Sequence, residues 1–238
     1  MKKIFFFLSA TLLLAAGCDT LKQMNLPVNV PTALTTTEIV NGLKEALNTG
    51  TNNSISFLGK ADGFLNNPLF KVPFPEEAKR AETKLRELGM NKLVDDFITT
   101  MNHGAENAVA KAGPIFLNAI TSMTFEDAKK ILKGADNAAT EYFKLKTTTA
   151  LTGLFKPEIK KALDAVNATK YWTDITTTYN KIPFVTKIDT DLPNFVTGKA
   201  MNALFTKIAD EEKNIRTNPA ARVKDILKKV FDPNAIVN

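Results

Sequence analysis

Apolar residues recur three and four positions apart along nearly the whole chain, and no stretch of useful length alternates apolar with polar residues. A helix brings positions i, i+3, i+4 and i+7 onto one face, whereas a half-buried strand needs a period of two. Ile39, Leu43 and Leu47 mark one helical face; Leu93, Phe97 and Met101 mark a second. Val223, Ile226, Leu227, Val230 and Phe231 form a third. The class expected is all-α, a single multi-helix globular domain over residues 35–238. About 200 residues are enough for one substantial core.

Starts and stops agree with this pattern. Thr35-Thr36-Thr37-Glu38 has capping-box spacing, in which hydroxyl and carboxylate each satisfy a free amide. Pro75-Glu76-Glu77 suits a helix opening, with the acids facing the positive end of the dipole, and that helix stops near Gly89. Gly113-Pro114 interrupts the next helical run. Thr124-Phe125-Glu126-Asp127 starts a short helix that Gly134 closes. Asp136 to about Val166 reads as helix, with a break expected near Lys156-Pro157. Tyr171 to Tyr179 is a short helix, Asp191-Leu192-Pro193 opens a long one, and Asn218-Pro219 caps the last.

Gly59 to Pro75 is irregular. The threonine runs at 147–149 and 176–178 are expected to weaken or end helices. Lys71-Val72-Pro73-Phe74 and Lys181-Ile182-Pro183-Phe184 echo each other in two proline-bearing breaks, and both a duplicated unit and coincidence fit that echo.

The amino-terminal residues carry an address. Met1-Lys2-Lys3 is a short positive leader, followed by the uncharged, mostly apolar run Ile4–Ala16. That run is too short to span a bilayer core, which takes about 20 residues. It ends in Leu14-Ala15-Ala16-Gly17-Cys18, and Cys18 is the only cysteine. Leader, apolar run and small residues describe a secretory signal, expected over residues 1–17 with cleavage between Gly17 and Cys18. Cys18 can then take a thioether-linked diacylglycerol and further acylation at its new amino terminus, and two or more chains anchor stably. Residues 18–34, with Pro27 and Pro31, read as a lipidated flexible tether. Fully extended it reaches roughly 50 Å. The location expected is the cell envelope, lipid-anchored and facing the periplasm, with the choice of membrane left open.

With Cys18 alone, no disulfide can form within the chain, so the core must supply stability. The formal charge is +6, and +4 once Lys2 and Lys3 leave with the signal. That excess is modest and dispersed, so nucleic acid is not expected as a partner. The 16 phenylalanines suit a dry core and would equally suit an apolar pocket.

The common catalytic templates are absent: no Gly-x-Ser-x-Gly elbow, no glycine-rich phosphate loop and no His-Glu-x-x-His pair. His103 is the only histidine. No catalytic residue, metal or cofactor is assigned from these patterns. The best polar group is Asp96, His103 and Glu106, spaced to share one helical face and able in principle to bind a metal or move a proton. A solvated face with one exposed histidine is the competing reading. Glu212 and Arg216, four apart, should pair across one turn near Arg222, as a helix-end ion pair or an anion site. Glu141, Tyr142, Lys144 and Lys146 form a third group, read as a solvated face.

Five segments together resemble a known family: Phe64-Leu65-Asn66-Asn67-Pro68, Leu93-Val94-Asp95-Asp96-Phe97, Met123-Thr124-Phe125-Glu126-Asp127-Ala128, Ala139-Thr140-Glu141-Tyr142-Phe143 and Asn218-Pro219-Ala220-Ala221-Arg222. They are similar to segments of the bacterial proteins catalogued as domain of unknown function 4197, over about residues 35–231. The family is uncharacterised, so the resemblance transfers no catalytic residue. It implies an exported protein, and it implies arginine where this chain has His103, which argues against a family-wide histidine chemistry. The polar residues retained as candidates for a ligand site are Asp62, Asn66, Asn67, Asp95, Asp96, His103, Glu141, Tyr142, Glu212, Arg216 and Arg222.

The leading expectation is a non-enzymatic envelope lipoprotein whose helical body binds an apolar ligand or an envelope partner. The alternative is an envelope hydrolase or metal-dependent enzyme using Asp96, His103 and Glu106.

Overall fold

The computed structural model describes residues 34–181, 183, 184 and 186–232. Nine α-helices appear among them: α1 (Thr36–Leu58), α2 (Lys79–Glu87), α3 (Asn91–Ala110), α4 (Gly113–Thr121), α5 (Phe125–Lys133), α6 (Ala138–Asp164), α7 (Ala168–Tyr179), α8 (Leu192–Thr217) and α9 (Asp225–Val230). No strand occurs among the described residues. The architecture is the all-α domain that the periodicity implies. The expected signal, Cys18 and most of the expected tether fall in residues 1–33, outside the described residues. Among the described helices, none is long and apolar enough to cross a membrane.

Three long helices organise the packing. α6 touches α3, α4, α5, α7 and α8, while α1 touches α3, α4, α5, α8 and α9. The buried side of α6 is Ala139, Phe143, Thr147, Leu151, Phe155, Ile159 and Leu163, every fourth residue over the full helix. Such an i±4 row is a ridge that seats in the groove of a neighbouring helix. Phe143 from this row meets Phe116 of α4 edge-on at 5.1 Å, and Phe116 meets Phe205 of α8 at 6.4 Å. T-shaped ring pairs of this kind add to simple area burial. One contiguous apolar cluster runs through α1, α3, α4, α5, α6, α7 and α8. A smaller cluster of Ala46, Ile215 and Leu227 fastens α9 to it.

Three expectations need correction. Asn218 caps the short 3₁₀ turn Pro219–Ala221, not α9, which starts at Asp225 without a side-chain cap. α6 does not break near Lys156-Pro157; Pro157 lies inside the helix. The proline forfeits one backbone hydrogen bond, but Phe155 and Ile159 on either side of it are fully buried and hold the helix through. Nor do the threonines at 147–149 end α6, which runs through them to Asp164. The buried Thr147 hydroxyl donates to Phe143 O at 2.6 Å and Thr148 donates to Lys144 O, so both hydroxyls are satisfied by carbonyls one turn back along the same helix. The later run, at 176–178, does lie in the last turn of α7.

The echo between the two breaks is not repeated in structure. Val72 and Phe74 are buried, whereas Phe184 is fully exposed with φ +65°; Ile182 lies outside the described residues. Each break is nonetheless held by an asparagine amide acting as a substitute strand partner. Asn102 accepts from Val72 N at 2.8 Å and donates to Val72 O at 2.9 Å. Asn180 accepts from Ile188 N and donates to Ile188 O, both at 2.8 Å.

Candidate functional site

The polar candidates separate into distinct places. Asp96 does not join His103 and Glu106 as the helical spacing suggests. It is exposed and pairs with Lys92 at 2.6 Å. Asp62 takes its position instead, arriving from the turn after α1. Its Oδ1 lies 3.1 Å from His103 Nε2, which is 4.0 Å from Glu106 Oε2. Spacing along α3 could not reveal this partner, because Asp62 is remote in sequence and is delivered by the backbone of the break.

Glu106 explains how that turn is held. Its buried carboxylate accepts three backbone amides, from Asp62 at 3.2 Å, Phe64 at 3.0 Å and Leu65 at 3.2 Å. The buried Phe64 amide would otherwise be orphaned, at a cost of about 1–3 kcal/mol. Asp62 sits at φ +59°, in the left-handed region. A Cβ on the adjacent Gly63 would stand 2.5 Å from Leu58 O, so the turn closes only with glycine there. Glu106 on α3 and Asn102 one turn before it therefore pin both ends of the Gly59–Pro75 stretch.

Asn66 and Asn67 stay in this stretch without reaching the cluster. Asn66 is exposed, and the Asn67 side chain accepts from Leu69 N at 3.0 Å, a local turn contact. Asp95 pairs with Arg86 of α2 at 2.9 Å, joining α2 to α3. The exposed Glu141 pairs with Lys144 at 2.8 Å. Tyr142 donates its hydroxyl to Ala119 O at 2.9 Å, and burial, with a smaller contribution from Asp127, raises its pKa above the ordinary tyrosine value.

Glu212, Arg216 and Arg222 form a second polar centre at the end of α8, and all three are engaged with helix ends. Glu212 accepts from Ala139 N, Thr140 N and the Thr140 hydroxyl, each at 2.9 Å. α6 has no side-chain cap of its own, so a carboxylate from another helix fills that role. Arg216 pairs with Glu212 at 2.9 Å and donates to Ile131 O at 2.7 Å, on the last turn of α5. Arg222 donates to Ile215 O and Arg216 O, the carbonyls that end α8. Negative charge at a helix start and positive charge at helix ends both follow the helix dipole. With these partners the group is a set of braces, not an open anion site.

An apolar groove lies elsewhere, along the first half of α3. Phe74, Leu85, Leu93, Phe97, Tyr171 and Trp172 supply most of its wall. Its volume is about 720 Å³, within the range of roughly 300–1,000 Å³ typical of small-molecule sites. Phe97 stacks on Trp172 at 6.0 Å with 24° between planes, and Phe74 meets both rings. Trp172 is oriented by a hydrogen bond from its indole N–H to Asp189 O at 3.0 Å. Leu93, Val166 and Tyr171 on the walls are 54%, 52% and 56% exposed. Asp96, Thr99 and Thr100 are the polar residues along its length. None of the aromatic wall residues stood out as a site in the sequence, because an aromatic at helical spacing reads the same in a core and in a groove.

A family model described as protein of unknown function (DUF4197) matches residues 33–232. The chain belongs to that family. No curated protein and no solved structure matches it. The matched region of this DUF4197 protein takes in all nine described helices. The segments that resemble the family do not meet in one cleft. Phe64 and Leu65 bind to Glu106, Leu93, Val94, Asp96 and Phe97 face the groove, and residues 139–140 and 222 serve the braces at the end of α8. Most of that likeness records how the helices are fastened.

Proposed function

We propose that this DUF4197 protein is a membrane-anchored envelope lipoprotein whose body is a non-enzymatic binding module for an apolar ligand. The observation that carries the binding function is the groove of about 720 Å³ beside Phe74, Phe97 and Trp172. Half-exposed Leu93, Val166 and Tyr171 favour an occupant that covers them. The lipid anchor rests on the small residues before Cys18 and on its being the sole thiol. Anchoring would hold the groove within reach of lipids and other envelope components on a tether of roughly 50 Å. The enzyme alternative is weakened by Asp96, which is paired with Lys92 and takes no part in the His103 cluster.

Trp172 is the only tryptophan and stands in the groove, so its fluorescence reports occupancy. Titration with lauric acid should give a saturable blue shift. Thr100→Phe, which fills the groove from an accessible face of α3, should weaken that binding about tenfold or more while leaving the fold intact. A parent protein that shows no saturable change would overturn the ligand reading. Radiolabelled palmitate should enter the native chain and not Cys18→Ala.

A further inference from the structure

We propose that Asp62, His103 and Glu106 form a binding site for a divalent transition-metal cation of the Zn²⁺ type. Each side chain offers one ligand atom, and these atoms lie within 4.8 Å of one another. Two of the separations are 3.1 Å and 4.0 Å. Ligands held about 2.1 Å from a tetrahedral zinc ion stand roughly 3.4 Å from each other. The cluster therefore needs only a small adjustment of exposed side chains to close on an ion.

The lone pairs allow it. Glu106 Oε1 accepts two amides, from Phe64 and Leu65, and so has no further capacity. Oε2 accepts only the amide of Asp62 and keeps one lone pair on the side of His103. Glu106 would thus bind through a single oxygen, oriented by backbone amides as ligating carboxylates commonly are. One imidazole and two carboxylates form a donor set suited to first-row transition metals. Asp62 and His103 are 46% and 48% exposed at their side chains, which leaves the remaining coordination positions to water. An ion would also neutralise two carboxylates that otherwise face a single imidazole.

The test uses the full chain carrying Cys18→Ser, which removes the only thiol; His103 is already the only histidine. Calorimetric titration with ZnCl₂ in a non-chelating buffer should show one saturable site, and zinc should raise Tm. His103→Ala and Asp62→Asn should each weaken binding about tenfold or more and abolish the Tm shift. Both residues are exposed, so both variants should fold, whereas Glu106 also holds the turn and is left intact. No saturable binding in the parent, or binding unchanged in both variants, would overturn the proposal and leave the cluster a hydrogen-bonded contact between Asp62 and His103. Lauric acid binding at Trp172 should be unaffected in either variant, so the two sites succeed or fail separately.

Discussion

At the scale of single residues, the strongest determinants are buried polar groups that serve backbone belonging to other elements. Glu212 is the clearest. Its oxygens cap α6 while its partner Arg216 closes α5, so one ion pair joins two helices across their connection. Glu212→Ala would leave Arg216 without its partner and strip the α6 amides of theirs. Breaking a buried pair in this way costs about 3–5 kcal/mol. Urea unfolding should show that loss as a lower midpoint with unchanged slope, and Glu212→Gln should recover part of it by restoring an acceptor. The four-residue spacing of Glu212 and Arg216 was legible in the sequence. Their helix-end partners were not, because Ala139 and Ile131 contribute backbone atoms that carry no sequence signature. Asp62 was legible as a polar candidate but its pairing with His103 was not, since that approach depends on a turn that Glu106 holds by backbone amides.

At the scale of elements, local chemistry set the helix starts. Both capping boxes form: Thr35 with Glu38 opens α1, and Thr124 with Asp127 opens α5. Hydrogen bonds from the Thr124 hydroxyl and amide lower the pKa of Asp127, and the Thr35 amide and hydroxyl do the same for Glu38. A carboxyl whose folded pKa is depressed contributes stability at pH above its unfolded value, and that contribution disappears as pH falls through the folded value. Tm should therefore drop as pH is lowered below about 4. The drop should be shallower in a Glu38→Gln, Asp127→Asn double variant, which a thermal scan across pH would reveal. Pro157 marks the limit of element-level reading. Proline predicts a break from local sterics alone, but the burial of Phe155 and Ile159 outweighs one lost hydrogen bond.

At the scale of the whole molecule, the contiguous core makes the body one cooperative unit. Phe143 is fully buried among Phe116, Tyr142 and the α6 ridge. Phe143→Ala should cost about 3–5 kcal/mol. The loss should appear equally in circular dichroism and in the fluorescence of the distant groove residue Trp172, since coincident transitions are the mark of two-state unfolding. Reducing agents should leave both unchanged, because Cys18 has no partner within the chain. The sequence by itself determined the all-α class, the capped starts of α1 and α5, and the absence of internal disulfides. Each of these depends on residues within a turn or two of one another, or on simple counts. Only the tertiary structure decided that Asp62 rather than Asp96 meets His103, that Glu212 caps a helix other than its own, and that Phe97 and Trp172 wall a groove. Those outcomes rest on contacts between residues far apart in the chain, and a periodic pattern records which face of a helix is buried but not what that face meets.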